Sequence, residues 1–405
     1  MEPNIRVKGF DGDWEERTLG DIYTERNERG NDSLQILSVS IHDGVSDGEL
    51  DEEGLGKVVR RSEDKSTYKH VYEGDLVFNM MRAWQGAIGV VKTEGMISPA
   101  YISAIPNASV YPPFMDYVLR RKEAIDQINN LSYGVTDFRK RLYWDSFVKV
   151  KCPLPSVEEQ KRITDTLESL DRYILLNQTQ CDDLKELKKY MLQKMFPKDG
   201  EKVPEIRFAG FEGEWEQRKL GEMTTLITKG TTPKDKTGEG EINFIKVENI
   251  DSMTGEIKGC SKVSVEEHEG YLKRSQLLEN DILFSIAGTL GRTTVVKKGL
   301  LPANTNQALA ILRMHDGDIS YVVTVLQGRA ISDYIRKNPT VGAQPNLSLE
   351  QVSNLEIPYP GIEEQKKIGE YFATLDSLIT HHQRKHDTLL EFKAYLLQNM
   401  FPKEG

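Results

Sequence analysis

The strongest constraint on the fold of this chain is a long internal repeat. Residues 3–20, PNIRVKGFDGDWEERTLG, reappear 201 positions later at 204–221 as PEIRFAGFEGEWEQRKLG. At an offset of 205, residues 153–163 return at 358–368. A period of about 200 residues is far longer than that of a solenoid repeat. The chain is therefore predicted to contain two copies of one unit, each made of a domain followed by a helix.

The likeness between the two copies is uneven along the repeat. It is high at both ends and low between about residue 24 and residue 150 of the first copy. Within that stretch only a skeleton survives, in which EGDLVFN at 73–79 echoes ENDILFS at 279–285. This pattern predicts a common framework built by the ends, and two variable middles that recognise different things.

The end of each copy has the heptad pattern of a long packed helix. Between residues 156 and 196 the apolar spacing alternates between four and three, and the second copy keeps this register. Each segment begins after Pro-x-Pro with acidic residues and ends at Phe-Pro. We predict two helices of about 40 residues, each roughly 60 Å long, that pack on each other. The predicted seam residues are Ile163, Leu167, Leu170, Ile174, Asn177, Ile368, Phe372, Leu375, Ile379 and His382.

Polar residues interrupt this seam at matched places in the two helices. They are Asn177 and Lys188 in the first helix and His382, His386 and Lys393 in the second. Buried polar residues in a helical seam fix register and partner at some cost in stability. His382 and His386 also have the i, i+4 spacing of a metal site, but the sequence offers no evident third ligand. We interpret them as seam polarity and expect no metal site.

Composition and motifs favour a folded binding protein. Lys and Arg number 53 against 63 Asp and Glu, and the net charge of -10 argues against a wholly basic nucleic-acid coat but permits a local basic groove. The three cysteines are too widely spaced for a disulfide framework or a zinc pattern, so we expect reduced thiols.

Without an apolar run of about 18 residues or a signal peptide, we expect a cytoplasmic protein with no membrane contact. Phosphate-loop, nucleophile-elbow and zinc-protease motifs are missing, so we expect no catalytic residue.

The variable middle of the first copy mixes basic residues with aromatics and amides. Such a mixture suits DNA, because Lys and Arg neutralise phosphates while Arg and Gln can pair with base edges. A run of basic residues at 120–122 is instead expected on the solvated face of a helix from Pro113 to Asn129. The predicted DNA contacts of the first copy are Arg60, Arg61, Lys69, Arg82, Trp84, Gln85, Thr136, Phe138, Arg139, Lys140 and Arg141.

The middle of the second copy consists of polar, glycine-containing loops joined by short apolar strands. Loops of this kind can bring backbone N–H groups and amide side chains against a ligand. For any one of these residues, a role in a turn or simple solvation is an equally good explanation, so the set is better evidence than its members. The predicted DNA contacts are Lys229, Thr231, Thr232, Lys246, Thr289, Arg292, Asn306, Gln344 and Asn346.

These features together resemble the specificity subunit of type I restriction-modification systems (HsdS). The resemblance rests on the repeat, the Pro-x-Pro-x-x-Glu-Glu-Gln-x-x-Ile helices, the Trp-Glu-x-Arg-x-Leu-Gly domain starts and the Gln-Pro-Asn-Leu-Ser loop at 344–348. It implies an α+β fold with a pseudo-twofold internal repeat, in which two similar α/β target recognition domains are separated by two long conserved helices forming an antiparallel coiled coil. The implied domains are recognition domains at 1–155 and 199–360, and spacer helices at 156–198 and 361–405.

The resemblance also implies a division of labour within a complex. Each recognition domain would read one half of an asymmetric bipartite site in double-stranded DNA. The helices would set the spacer, with half-sites roughly 34 Å apart, and would dock two modification subunits. The chain itself would bind no cofactor, because S-adenosylmethionine for adenine methylation belongs to the modification subunits. ATP and Mg would belong to the restriction subunits.

Two other functions stay open at this stage. The acidic balance suits a coiled-coil scaffold protein whose two domains bind proteins rather than DNA. A self-sufficient DNA methyltransferase is a third possibility, but the Asn-Pro-Thr sequence at 338–340 falls short of the Asn-Pro-Pro-aromatic motif of amino-methyltransferases. Steeply salt-dependent binding to duplex DNA would separate the specificity subunit from the scaffold.

Overall fold

The computed structural model describes residues 2–31, 33–42, 44–46, 67–134, 139–198, 200–337 and 346–402. It divides into two compact units, the first made of Met1–Ile174 with Thr388–Gly405 and the second of Leu175–Asp387. The predicted framework helices are present as single helices at Val157–Lys194 and Ile362–Asn399. The division crosses both of them, so each unit contains part of each framework helix.

The first unit is built on a four-stranded antiparallel sheet in the order β2-β9-β6-β7, with pairs β1-β10, β3-β4 and β5-β8 beside it. All four residues of β6 are buried, as expected for a central strand that is covered on both faces. Phe78 in this strand lies opposite Ile88 and Ile102. The strands are β1 (Glu15–Thr18), β2 (Tyr23–Arg26), β3 (Ser38–Ser40), β4 (Gly44–Ser46), β5 (Lys69–Val71), β6 (Leu76–Asn79), β7 (Ile88–Val90), β8 (Gly95–Ile97), β9 (Tyr101–Pro106) and β10 (Lys151–Leu154).

The segment expected to form one helix from Pro113 to Asn129 is broken in two, so that prediction was wrong. Arg121 has extended backbone angles and lies between the two pieces. Arg121 is the N-cap of the second piece, and its guanidinium packs over the Phe401 ring at 4.7 Å. The helices of the first unit before the framework helix are α1 (Leu19–Ile22), α2 (Pro112–Leu119), α3 (Lys122–Leu131) and α4 (Trp144–Phe147).

The second unit repeats the four-stranded antiparallel sheet, in the order β12-β18-β15-β16. It adds a three-stranded sheet, β14-β13-β17, in which β13 and β17 run parallel. The strands β11 and β19 form a separate antiparallel pair. The strands are β11 (Glu216–Lys219), β12 (Thr224–Lys229), β13 (Ile242–Ile245), β14 (Ser261–Val263), β15 (Ile282–Ser285), β16 (Thr293–Val295), β17 (Ala303–Thr305), β18 (Leu309–Met314) and β19 (Glu356–Tyr359).

Side-chain caps begin the helices of the second unit. Asp318 accepts a hydrogen bond from the Tyr321 backbone N–H at 2.9 Å, and Ser348 accepts one from Gln351 at 3.0 Å. We number the framework helices α5 (Val157–Lys194) and α10 (Ile362–Asn399). The helices between them are α6 (Val265–Glu269), α7 (Ile319–Gln327), α8 (Arg329–Lys337) and α9 (Leu349–Ser353).

The repeated ends of the sequence make the same contacts in each unit. Arg6 donates from Nε to Glu159 at 2.8 Å in the first unit, and Arg207 donates from Nε to Glu364 at 2.7 Å in the second. Both carboxylates are nearly inaccessible to solvent, and both are bound by two guanidinium nitrogens. The duplicated sequence thus forms a duplicated framework.

The framework helices pack antiparallel within each unit. In the second unit Lys188 of α5 contacts Asp376 of α10, and the earlier Asn177 contacts the later His382. In the first unit Lys393 near the end of α10 contacts Asp171 of α5 at 2.5 Å. Positions that come early in one helix therefore meet positions that come late in the other. The antiparallel packing implied by the family resemblance is present.

The predicted seam is mostly buried. Its first residues are also part of the domain cores, since Ile163 belongs to the apolar cluster around Trp14 and Ile368 to the cluster around Trp215. Ile174 and His382 are half-buried. The remaining predicted seam residues are buried, namely Leu167, Leu170, Asn177, Phe372, Leu375 and Ile379. The framework helices therefore act as core elements of both units.

The cysteines are free thiols, as expected. Burial raises the pKa of Cys152 to about 12, so this side chain stays protonated and unreactive at neutral pH. No helix among the described residues is long and apolar enough to cross a membrane.

Candidate nucleic-acid interface

A basic turn follows strand β6 in the first unit. The side chain of Asn79 accepts from the Met81 backbone N–H at 3.0 Å and starts a short 3-10 turn at Ala83–Gln85. Trp84 is half-buried against the core and donates from Nε1 to the Met81 carbonyl at 3.0 Å. This anchor leaves Arg82 and Gln85 exposed on the surface of the turn.

A second basic stretch lies beside this turn. The backbone N–H of Leu142 donates to the Met80 carbonyl at 2.9 Å, which joins the stretch to the turn. Tyr133 and Arg141 exchange two backbone hydrogen bonds, of 3.1 and 3.0 Å. Arg139 and Arg141 are both exposed. The fold therefore brings the stretch that contains Arg82 and Gln85 beside the stretch that contains Arg139 and Arg141, although the two stretches are more than 50 positions apart in the chain.

The other predicted contacts of the first unit have different surroundings. Lys69 donates from Nζ to the Tyr101 carbonyl at 3.1 Å, and Lys140 is half-buried with Nζ 3.5 Å from the Asn129 side-chain oxygen. Both ammonium groups therefore already hold a partner within the protein. The remaining predicted contacts, Arg60, Arg61, Thr136 and Phe138, lie outside the described residues.

Four loops of the second unit meet at one end of its main sheet. The loop around residue 230 is joined to the loop around residue 306 by two backbone hydrogen bonds. The Gly230 N–H donates to the Leu309 carbonyl at 3.1 Å, and the Thr231 N–H donates to the Thr305 carbonyl at 2.9 Å. A Cβ at position 230 would lie 2.1 Å from the Thr305 carbonyl oxygen, so only glycine permits this approach.

The other two loops join the same group through the residues after β15. The Ile286 N–H donates to the Ala308 carbonyl and the Leu347 N–H to the Ile286 carbonyl, each at 2.8 Å. Ala287 also bridges to Asn346. The loops around residues 230, 288, 306 and 346 therefore form one surface, which we call the second-unit loop cluster.

Exposure differs among the predicted contacts of this cluster. Asn306 is half-buried, and its side-chain oxygen accepts from the Ala308 N–H at 3.1 Å. Thr231 is buried. The exposed members are Lys229, Thr232, Thr289 and Asn346. Gln344 lies outside the described residues.

Two further predicted contacts, Lys246 and Arg292, lie around the turn at Val247–Asn249. Lys246 is partly exposed with its Nζ 4.0 Å from Glu248. Arg292 donates from Nη1 to the backbone carbonyls of Ile250 at 2.7 Å and Val247 at 3.2 Å. Its guanidinium therefore fixes the turn in place, and the structure gives Arg292 a positioning role that the sequence pattern did not suggest.

Comparison with known proteins shows which family this chain resembles. A family model described as the type I restriction modification DNA specificity domain matches residues 212–391. The MjaVIII specificity subunit of Methanocaldococcus jannaschii is 25% identical over 308 residues, covering 70% of this chain and 68% of the relative. The putative MjaX specificity subunit of the same organism is 24% identical and covers 95% of this chain and 92% of the relative. The sequence comparisons thus agree that this chain is similar to the specificity subunits of type I restriction-modification systems.

Solved structures agree on the fold of this chain. The S subunit of the type I system from M. genitalium superposes with a TM-score of 0.58 at 14% identity, and each chain is covered completely. A chain from a study of complex assembly and conformational transition of the type I R-M system gives a TM-score of 0.50 at 19% identity, covering 98% of this chain and 99% of that one. The family and fold class inferred from sequence are confirmed.

The first unit also exposes residues that were not predicted from the sequence as DNA contacts. Met81 is 46% exposed and Tyr133 is 52% exposed, next to the basic stretches. The ring of Tyr133 packs against that of Tyr143 with centroids 4.9 Å apart. Desolvation and the neighbouring Asp145 raise the pKa of Tyr133, so its hydroxyl stays protonated and can donate a hydrogen bond.

The second unit has its own overlooked group next to the loop cluster. Tyr271 is 50% exposed, and Lys234 lies over its ring with Nζ 4.6 Å from the centroid. Lys273 and Arg274 follow in a short turn and are exposed. The sequence Tyr-Leu-Lys-Arg at 271–274 has the same mixture of aromatic and basic residues that led to the predicted contacts of the first unit. The same criterion would therefore have selected this segment.

Proposed function

We propose that this chain is the non-catalytic subunit that gives a type I restriction-modification complex its DNA sequence specificity. Each unit reads one half of an asymmetric bipartite site in double-stranded DNA. The long helices set the length of the unread spacer between the halves. The proposal assigns the chain to the cytoplasm, where the DNA substrate of such a complex is found.

One observation carries this proposal: the two units share their framework and differ in their exposed loops. The Arg6–Glu159 and Arg207–Glu364 pairs recur in equivalent positions. The basic surfaces do not recur, since the first unit presents the Arg82 turn and the second presents the loop cluster. A shared scaffold with two unlike basic surfaces suits the reading of two different DNA sequences.

The chemistry of the complex belongs to the partner subunits in this proposal. Two modification subunits bind S-adenosylmethionine and methylate adenine in each half-site. Restriction subunits use ATP and Mg to act on DNA. With a net charge of -10, this chain supplies local basic surfaces, and the modification subunits supply much of the remaining phosphate neutralisation.

The deciding experiment maps DNA methylation. The chain is co-expressed with its modification subunits in a host that lacks other adenine methylation, and N6-methyladenine is located across the genome. We expect a single bipartite motif with two defined halves and a spacer of fixed length. The control is expression of the modification subunits without this chain, which should leave the motif unmethylated.

Two results would count against the proposal. Methylation that does not need this chain would remove its role in specificity. Purified complex that binds duplex DNA without steep salt dependence would instead favour a scaffold with protein-binding domains, because phosphate contacts make affinity fall as salt rises.

A further inference from the structure

The strongest unassigned feature is the orientation of one exposed arginine, Arg274, beside the second-unit loop cluster. Its Nε donates to the Thr231 side-chain hydroxyl at 2.8 Å. Among the described residues this is the hydrogen bond that its guanidinium makes, and the side chain of Arg274 is exposed. A guanidinium is planar, so one fixed nitrogen restricts the orientation of the other two.

The hydroxyl that holds Arg274 is itself held rigidly. Thr231 is 6% exposed, and its backbone N–H donates to the Thr305 carbonyl at 2.9 Å. Thr305 in turn donates from Oγ1 to the Ile245 carbonyl at 2.9 Å, and its side chain is inaccessible to solvent. The acceptor for Arg274 therefore lies in a loop that is hydrogen-bonded to strand β17.

The turn that contains Arg274 is also fixed from beneath. Asn304 is completely buried and donates from Nδ2 to the Leu272 carbonyl at 2.9 Å and to Ser275 Oγ at 3.3 Å. His268 contacts the oxygen of the same amide. A buried amide that joins both ends of a short turn holds the backbone of Arg274 in place.

Arg274 differs from the other arginines of the second unit in the partner that its guanidinium contacts. Each of the others has a carboxylate or backbone carbonyls on its guanidinium, whereas Arg274 has a neutral hydroxyl. The carboxylate pairs are Arg207–Glu364, Arg218–Asp316, Arg313–Asp281, Arg329–Asp333, Arg336–Asp333 and Arg384–Glu256, and Arg292 binds backbone carbonyls. Arg274 therefore keeps a full positive charge for an external partner.

The external partner that fits is a planar group with two acceptors side by side. Guanine presents O6 and N7 in this way in the major groove, and a bidentate arginine contact is the commonest specific readout of that base. Flexible lysines nearby, Lys229, Lys234 and Lys273, suit the phosphates on either side. Resting on the proposed function, we infer that Arg274 reads a guanine in the half-site bound by the second unit, with Thr231 as its positioning residue.

The test uses the complete complex with its modification subunits and a library of DNA sites varied at each position of both halves. Arg274→Ala should relax discrimination at one G·C pair of one half-site by roughly 5- to 150-fold. All other positions and the spacer should stay unchanged. Arg274→Lys keeps the charge but loses the planar fork, so it should relax the same position while retaining more overall affinity.

Two matched variants separate base reading from simple charge. Thr231→Val removes the acceptor hydroxyl at similar volume and should relax the same base pair in part, with rescue by Thr231→Ser. Lys273→Ala, one residue from Arg274, should weaken binding to all sequences alike and reduce the salt slope by about one. Thermal melts of each complex check that the variants are folded.

Several outcomes would overturn this inference while leaving the proposed function intact. One is a uniform loss of affinity in Arg274→Ala with a smaller salt slope, which would identify a phosphate contact. Others are unchanged discrimination in that variant, or a half-site for the second unit that contains no guanine in either strand. If the unaltered complex methylates no bipartite motif at all, the proposed function itself fails.

Discussion

At the scale of single residues, the two copies of the repeat hold equivalent ion pairs in different surroundings. Lys188 and Asp376 lie 205 positions from Lys393 and Asp171, with the two framework helices exchanged. The Lys188 side chain is only 1% exposed, whereas that of Lys393 is 26% exposed. Lys188 also donates to the Met253 carbonyl and to the Gln327 side chain. The lysine at this position of the repeat is thus buried in one unit and partly accessible to solvent in the other.

This difference predicts unequal costs for the same substitution. Lys188→Met should destabilise the protein by about 3 kcal/mol, because it removes a buried ammonium group and leaves the half-buried Asp376 carboxylate without its counter-charge. Lys393→Met is the matched control and should cost no more than about 1 kcal/mol, because its pair is partly solvated. Urea unfolding of both variants measures the two values. Equal costs would show that burial does not distinguish the two pairs.

The cost of Lys188→Met should also depend on pH. Burial raises the pKa of Asp376 to about 6, even though Lys188 acts to lower it, so removing Lys188 should raise it further. A carboxyl whose pKa is higher in the folded state favours folding when protonated, and this contribution is lost as pH rises through the folded pKa. The destabilisation should therefore be smaller at pH 5 than at pH 8. A cost that is independent of pH would contradict this assignment.

At the scale of elements, the framework helices expose apolar side chains that also follow the repeat. Leu187 and Phe392 lie 205 positions apart, as do Tyr190 and Tyr395, and all four are at least 41% exposed. Large apolar groups at matched exposed positions on two helices are typical of surfaces that bind partner proteins. Under the proposed function, these positions are candidates for contacts with the two modification subunits.

Charge introduced on these surfaces should disrupt assembly. A double variant, Tyr190→Glu with Tyr395→Glu, should bind the modification subunits at least 10-fold more weakly, because each carboxylate would have to be desolvated in the interface. Co-purification and sedimentation of the complex measure the effect. Lys189→Glu is the control, since it adds negative charge at the neighbouring exposed position on another side of the helix. An equal loss in the control would point to general charge repulsion.

At the scale of the whole molecule, the uneven repeat predicts modular specificity. Replacing residues 24–150 with the corresponding middle of another specificity subunit should change one half of the methylated motif. The other half and the spacer should stay as they were, because the Arg6–Glu159 ion pair and the pairing of β1 with β10 lie outside the exchanged segment. Methylation mapping with the exchanged subunit measures the sequence of each half-site and the length of the spacer in one experiment.

The control for this exchange alters the framework instead of the middle. Seven residues inserted into one framework helix preserve the heptad register, so the seam can still form. The insertion should change the spacer or the assembly of the complex and leave the sequence of both halves unchanged. A change in the far half after the exchange of residues 24–150 would show that the two units do not read DNA independently.

The sequence by itself determined the framework of this protein. Helix positions and the duplicated ends follow from heptad spacing, caps and the self-similarity of the sequence, while the antiparallel packing was implied by the family resemblance. The sequence pattern did not predict the break in the helix expected from Pro113 to Asn129. The break between α2 and α3 occurs where Arg121 packs on Phe401, a residue almost 300 positions away, and no periodicity near Arg121 indicates that partner.

Only the tertiary structure decided which basic residues remain available to DNA. Lys69 and Arg292 suit DNA by residue type, yet backbone carbonyls from distant strands and turns already occupy them. Arg274 attracted no attention in the sequence, but the structure orients its guanidinium and leaves its charge uncompensated. The physical reason is that a residue type fixes the charge, while the partners that the fold brings beside it determine whether that charge is free to bind another molecule.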